Sequence, residues 1–342
     1  VADDATLRAT SLAKSLAPSL ATLLEPVGAV GRLVRSWLGA PLRLPGEALT
    51  AVTSPVRSAI NHDVRRTLGL PEGPPRSGRR RPAVDPALAF LPPDGVARRV
   101  HSDVPAMVIG GLSALFLQTL HPLVMAGVAE HSDYASDPIG RLRRTAEFVA
   151  RTTFGDLDDA DRAIRQVRRV HRSVHGVAPD GRAYSAADPA LVTWVHVAEV
   201  SSFLRASGRY GAAKLTSSEH DTYYAETGAV ARALGAEWVP RSADEVTAYF
   251  GRVRPELYAG PQALAARDFL YRGVARRPED RLVYSVIVAA AIGLLPAWAR
   301  HELGIPTPPL ADAVVVTPLA RTLCNGLRWA VGPAMRPGGA RS

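Results

Sequence analysis

Apolar and polar positions alternate with a helical period along almost the whole chain. Residues 104–129 carry no formal charge, and a break is expected at Pro122, because its ring removes a backbone donor. Helical spacing then predicts segments at 138–154, 158–175, 188–207, 217–234, 242–253, 262–271 and 281–299. Two starts are marked by an N-cap aspartate ahead of a proline, Asp137 before Pro138 and Asp188 before Pro189. No run alternates with the period of strands, so the expected fold class is all-α.

The first 85 residues read differently. Leu7, Leu12, Leu16 and Leu20 recur near helical spacing until Pro26 ends the run. The segment LPEGPPRSGRRRPAVDP, Leu70 to Pro86, reads as a linker because its prolines and glycines favour extended chain. The 342 residues exceed the usual size of one domain. The expected division is therefore a helical N-terminal extension at 1–85, a catalytic domain at 86–310, and a C-terminal helix and tail at 311–342. An arm of this kind is expected to pack on the core or lie over a pocket mouth.

Composition narrows the possible functions. Hydrophobic residues at 47% and charged residues at 21% fit a packed protein with a sizeable core. The net charge of +9 raises nucleic acid as a partner, yet the arginines are scattered and no aromatic-basic interleaving occurs, so none is expected. Of the 41 basic residues only Lys14 and Lys214 are lysine, a bias better read as codon usage than function. Residues 1–17 lack the continuous apolar core of a signal peptide, so a cytoplasmic protein is expected, with peripheral membrane contact left open. Pro105, Gly110, Gly111, Gln118, His121 and Pro122 interrupt the uncharged segment, which favours a buried core helix over a membrane span. Cys324 is the sole cysteine, which leaves histidine and carboxylate as the ligands for any metal.

Histidines carry the candidate chemistry. His171 and His175, four apart in VRRVHRSVHG, are expected on one helix face, but a zinc protease would need an intervening glutamate that is absent. His196 precedes Glu199 by three residues, so the pair is expected close together, either as a satisfied core histidine or as part of a cofactor pocket. His121 has a bland alternative too, as a partner for backbone groups freed by Pro122. On the segment GRLRRT, Arg141, Arg144 and Thr145 share a face that Phe148 and Val149 continue, which places them on the core side beside an anion. No phosphate loop, GxSxG or HExxH is present.

The run LFLQTLHPLVMAGVAEHSDYASDPIGRLRRTAEFVARTTFGD, followed by VRRVHRSVHG, GRAYSAADPALVTWVHVAEVSSFLRA and LLPAWARHELGIP, resembles the MpaB and rubber-oxygenase family. That family includes latex-clearing proteins and a fungal oxygenase that cleaves a prenyl chain. The resemblance covers about residues 92–306. It implies a globin-like helical bundle around a cofactor pocket, a b-type haem (iron), dioxygen as co-substrate, and oxidative cleavage of a C=C bond in an isoprenoid or other unsaturated apolar chain. Carried over by motif, the iron ligand is His171, with His121 and His196 as further pocket histidines. Arg141, Arg144 and Thr145 are the catalytic candidates, Arg141 also lying beside the haem. Rubber oxygenases hold a lysine where this chain has Arg144, and a guanidinium cannot deprotonate to ligate iron. Two rival readings remain from other classes. One is a non-haem iron or manganese enzyme using His121, His171 and His196 with Glu130 or Asp133; the other is a non-catalytic binder of lipid or haem.

Overall fold

The structure is a computed structural model, and it describes residues 86–132, 137–272, 278–305 and 311–331. The expected extension and linker at 1–85 lie outside these residues.

The described chain is all-α apart from one short hairpin. Short α1 (Val96–His101) leads into α2 (Val104–Gln118), which Asp103 caps by accepting from the Ala106 amide. The uncharged segment then bends by 106° into α3 (Pro122–His131). Among the described residues no single helix is long and apolar enough to cross a membrane, though this bent pair passes by length and composition.

Asp137 and Pro138 open α4 (Pro138–Phe154) as their sequence predicts, the Asp137 carboxylate accepting from the Gly140 amide at 2.9 Å. Asp156 caps α5 (Leu157–Ser173), which stops two residues before His175. There the chain turns into strand β1 (His175–Val177), paired antiparallel with β2 (Ala183–Ser185) in the register His175 to Ser185. The turn is Pro179-Asp180-Gly181, with Gly181 at φ 85°, a left-handed conformation that glycine adopts without a Cβ penalty. Asp188 and Pro189 then start the longest of the described helices, α6 (Pro189–Tyr210).

Thr216 and Glu219 form a reciprocal capping box at the start of α7 (Ser217–Leu234), and Gly235 at φ 115° closes it. α8 (Ala243–Val253), α9 (Pro261–Arg272), α10 (Pro278–Leu294), α11 (Ala297–Glu302) and α12 (Thr317–Val331) complete the described helices. A π-helical turn at Asp312–Val316 runs into α12.

Helix α6 lies at the centre, with fifteen buried residues along it, and α2 packs along its length. Phe116, Leu117 and Leu120 meet Trp194, Val288 and Ile292 in one core cluster; burial of such a side chain contributes about 1.5–3 kcal/mol. A second cluster joins α1, α6 and α7 through Val100, Val197, Phe203 and Tyr223. Helices α4 and α5 pack as a pair, α5 and α1 each touch α7, and the hairpin rests against α3. The histidines of interest thus belong to the elements that surround or form the central helix.

Candidate active site

His121 occupies the bend, as the N-cap residue of α3. It is 3% exposed, and its Nδ1 is buried without a hydrogen-bond partner. Its Nε2 stands 3.9 Å from Glu256 Oε2, and its ring centroid lies 6.0 Å from that of Trp194. Burial pushes its pKa down to about 4; Arg182 adds to the fall and Asp188 opposes it. The bland alternative fails on geometry, because Pro122 sits at the first helical position, where its missing N–H breaks no bond.

His171 lies in the last turn of α5, half-buried, and its Nδ1 is likewise enclosed without a partner. Burial lowers its pKa. His175 is exposed on β1, so the two histidines do not share a helix face as their spacing suggests. The reason is the hairpin, whose turn pulls the backbone into strand geometry after Ser173.

His196, on the inner face of α6, is 8% exposed and held near a pKa of about 4 by burial, with Arg232 adding to the fall. Neither His196 nor Glu199 makes a hydrogen bond among the described residues, to each other or elsewhere. The expected satisfied pair is therefore not formed. Burial pushes the Glu199 carboxyl up to about 7.

The α4 candidates stand elsewhere than expected. Arg144 is exposed and bonds Asp137 at 3.2 Å, and Thr145 is also exposed. Half-buried Arg141 donates to Ser132 Oγ. The face shared by Arg144 and Thr145 is thus open among the described residues, not turned into a packed interior; only its continuation, Phe148 and Val149, is half-buried.

Two polar clusters have no counterpart in the sequence pattern. His101 on α1 places Nδ1 2.8 Å from Thr153 Oγ1 and Nε2 2.9 Å from the Tyr223 hydroxyl, and burial depresses its pKa to about 3. In the other, the Tyr184 hydroxyl donates to Glu130 at 2.5 Å and lies 3.1 Å from His131 Nε2, pinning the hairpin to α3. Burial, then Glu130, raises Tyr184 to about 12. A His on a short amphipathic turn and a tyrosine beside a turn carry no signature that separates them from surface residues.

Among the described residues no group of three His, Cys, Asp or Glu side chains is gathered closely enough to hold a metal ion. Glu130 is bonded by Tyr184, and Asp133 lies outside the described residues. What the arrangement provides is imidazoles with unmet bonding capacity at His121, His171 and His196, in contrast to His101 and His131, whose rings are paired.

A family model described as "ER-bound oxygenase mpaB/B'/Rubber oxygenase, catalytic domain" matches residues 98–329, and the chain belongs to this family. No curated protein and no solved structure matches it. The matched span includes α1 to α6, which carry the histidines above, and continues through most of α12. The family is one of oxygenases.

Proposed function

We propose that the protein is a haem-dependent oxygenase that uses dioxygen to cleave a C=C bond in an apolar isoprenoid or otherwise unsaturated chain. The observation that carries this reading is His171, whose ring is neutral at pH 7 and whose enclosed Nδ1 has no protein partner, in the helix that follows the Arg/Thr segment. A haem needs one axial imidazole from the chain, whereas a non-haem centre needs several convergent ligands, and the described residues do not converge. Haem, when bound, supplies the oxygen chemistry, and the protein supplies the axial ligand and the surroundings.

On this reading His171 is the axial ligand. Arg141 offers charge-assisted hydrogen bonds to an anionic cofactor edge, and Thr145 a hydroxyl on the same open face. Arg144, fixed by Asp137, holds the start of α4 and does not ligate iron. The apolar residues around His121 and Trp194 exclude water from the chain being cut. Incubation of the purified protein with an isoprenoid substrate under isotopically labelled dioxygen tests the proposal. Carbonyl products carrying the label are expected; absence of both oxygen uptake and labelled product across a series of unsaturated chains overturns it.

A further inference from the structure

His196 and Glu199 lie one turn apart on α6, three residues in sequence, and so point to one side of the helix. Val195 shares the Glu199 face at a spacing of four. Both Val195 and Glu199 are half-buried, while Val197, Ala198, Val200 and Ser201 are buried. This strip of the central helix therefore retains accessible surface although helices pack on every side of α6. The carboxyl is deep enough for burial alone to push it up to about 7, yet it is not sealed by protein atoms.

The groups around it are defined. Tyr223 from α7 is fully buried and already bonded to His101 from α1, and Arg232 from α7 acts on His196 electrostatically. None of them hydrogen-bonds His196 or Glu199. A buried carboxyl and a buried imidazole are seldom left without partners, since interior polar groups are paired with protein or an ordered guest.

We infer that the His196 and Glu199 face of α6 is a binding site for an uncharged polar head group, a hydroxyl or carbonyl, on an otherwise apolar guest. The inference deepens the reading above by assigning the substrate chain a neutral polar end. A neutral carboxyl donates an O–H, and a neutral imidazole offers a lone pair, so a hydroxyl accepts from Glu199 while donating to His196. A carboxylate or phosphate finds no cation paired to Glu199, and an ammonium would create a buried ion pair with a large desolvation cost.

Saturated guests separate binding from turnover, because they contain no C=C bond to cut. Calorimetric titration of the purified full chain with dodecanol, dodecyl methyl ether, dodecanoic acid and dodecane, all in monomeric solution at neutral pH, reads the head-group preference directly. Dodecanol is expected to bind about tenfold more tightly than dodecane, a difference of about 1.4 kcal/mol. The ether, which keeps only the acceptor, should fall between them, and the acid should not exceed the alcohol. Glu199→Leu should bring the alcohol-to-alkane ratio to about one, and Glu199→Gln, which keeps a donor, should preserve most of it.

Equal affinity for alcohol and alkane in the wild-type protein means that water alone occupies the face and overturns the inference. So does tighter binding of the acid, or a ratio untouched in folded Glu199→Leu. The ligand series in the wild-type protein decides the matter even if the leucine variant does not fold. A protein without haem that keeps the preference separates this site from the cofactor reading.

Discussion

Gly110 on α2 meets Phe203 on α6 so closely that a Cβ at position 110 would lie 3.0 Å from Phe203 Cδ1 and 3.1 Å from its Cα. The Phe203 ring in turn stands edge-on to His101, with centroids 5.5 Å apart. A glycine in the uncharged helix thus sets the approach of the two central helices and, one residue further, the position of a buried polar cluster.

Gly110→Ala should therefore destabilise the protein by about 1–3 kcal/mol, since overpacking against backbone outweighs the entropy gained on leaving glycine. Gly208, in the same α6 helix as Phe203, has open space where a methyl group would stand, with no atom within 4 Å. Gly208→Ala should instead stabilise by about 0.5–1 kcal/mol. Urea denaturation of the two variants reads both signs.

The Asp103 carboxylate ties three elements together. It caps α2, accepts from the Ala212 amide at 2.8 Å, and pairs with Arg328 of α12 through four contacts of 2.9–3.1 Å. Both side chains are mostly buried, Asp103 at 10% exposure and Arg328 at 23%. Arg328→Ala should cost about 3–5 kcal/mol because it leaves a buried charge unpaired. Asp103→Ala should cost at least as much, with the cap lost as well. A double-mutant cycle by thermal unfolding should show strong coupling; additive losses would make the pair incidental.

Stability should fall at both ends of the pH range for opposite reasons. Glu199 is raised from 4.5 to about 7, so the folded protein holds a proton that the unfolded chain releases. Its contribution is complete below about pH 4.5 and is lost as pH rises through about 7. His101 is lowered from 6.5 to about 3, so its contribution is present above about pH 6.5 and lost as pH falls toward 3. Glu199→Gln should flatten the decline between pH 4.5 and 7, as measured by denaturant midpoints across that window. An unchanged slope would place Glu199 in contact with bulk water.

Much of this architecture is legible in the sequence. Asp137-Pro138 and Asp188-Pro189 mark helix starts that the structure keeps, because a cap and a first-turn proline act locally. The 217–234 helix is likewise bounded by Thr216 and Gly235. The hairpin is not legible although Pro179-Asp180-Gly181 announces a turn, since three-residue strands are too short to show alternation. The inner face expected at Arg144 and Thr145 is misplaced because helical spacing assigns a shared face but not what covers it. The sequence pattern singles out histidines 121, 171 and 196, whereas His101 depends on contacts from helices about 50 and 120 residues away, which no local pattern encodes.

Arg141→Ala is expected to reduce cofactor retention several-fold while leaving the helical circular-dichroism signal unchanged, because the side chain is only half-buried and lies in an open part of α4. Retention equal to wild type would return Arg141 to a structural role, holding Ser132.

The proposed haem ligation is tested most directly by the absorption spectrum of the purified full chain beside those of His171→Ala and His175→Ala. A Soret band is expected in the wild-type protein, with its loss in folded His171→Ala and its retention in His175→Ala, whose side chain is exposed on the hairpin. A folded wild-type protein that shows no Soret band after expression with haem supplied, or a His171→Ala variant that keeps the band unchanged, contradicts the assignment.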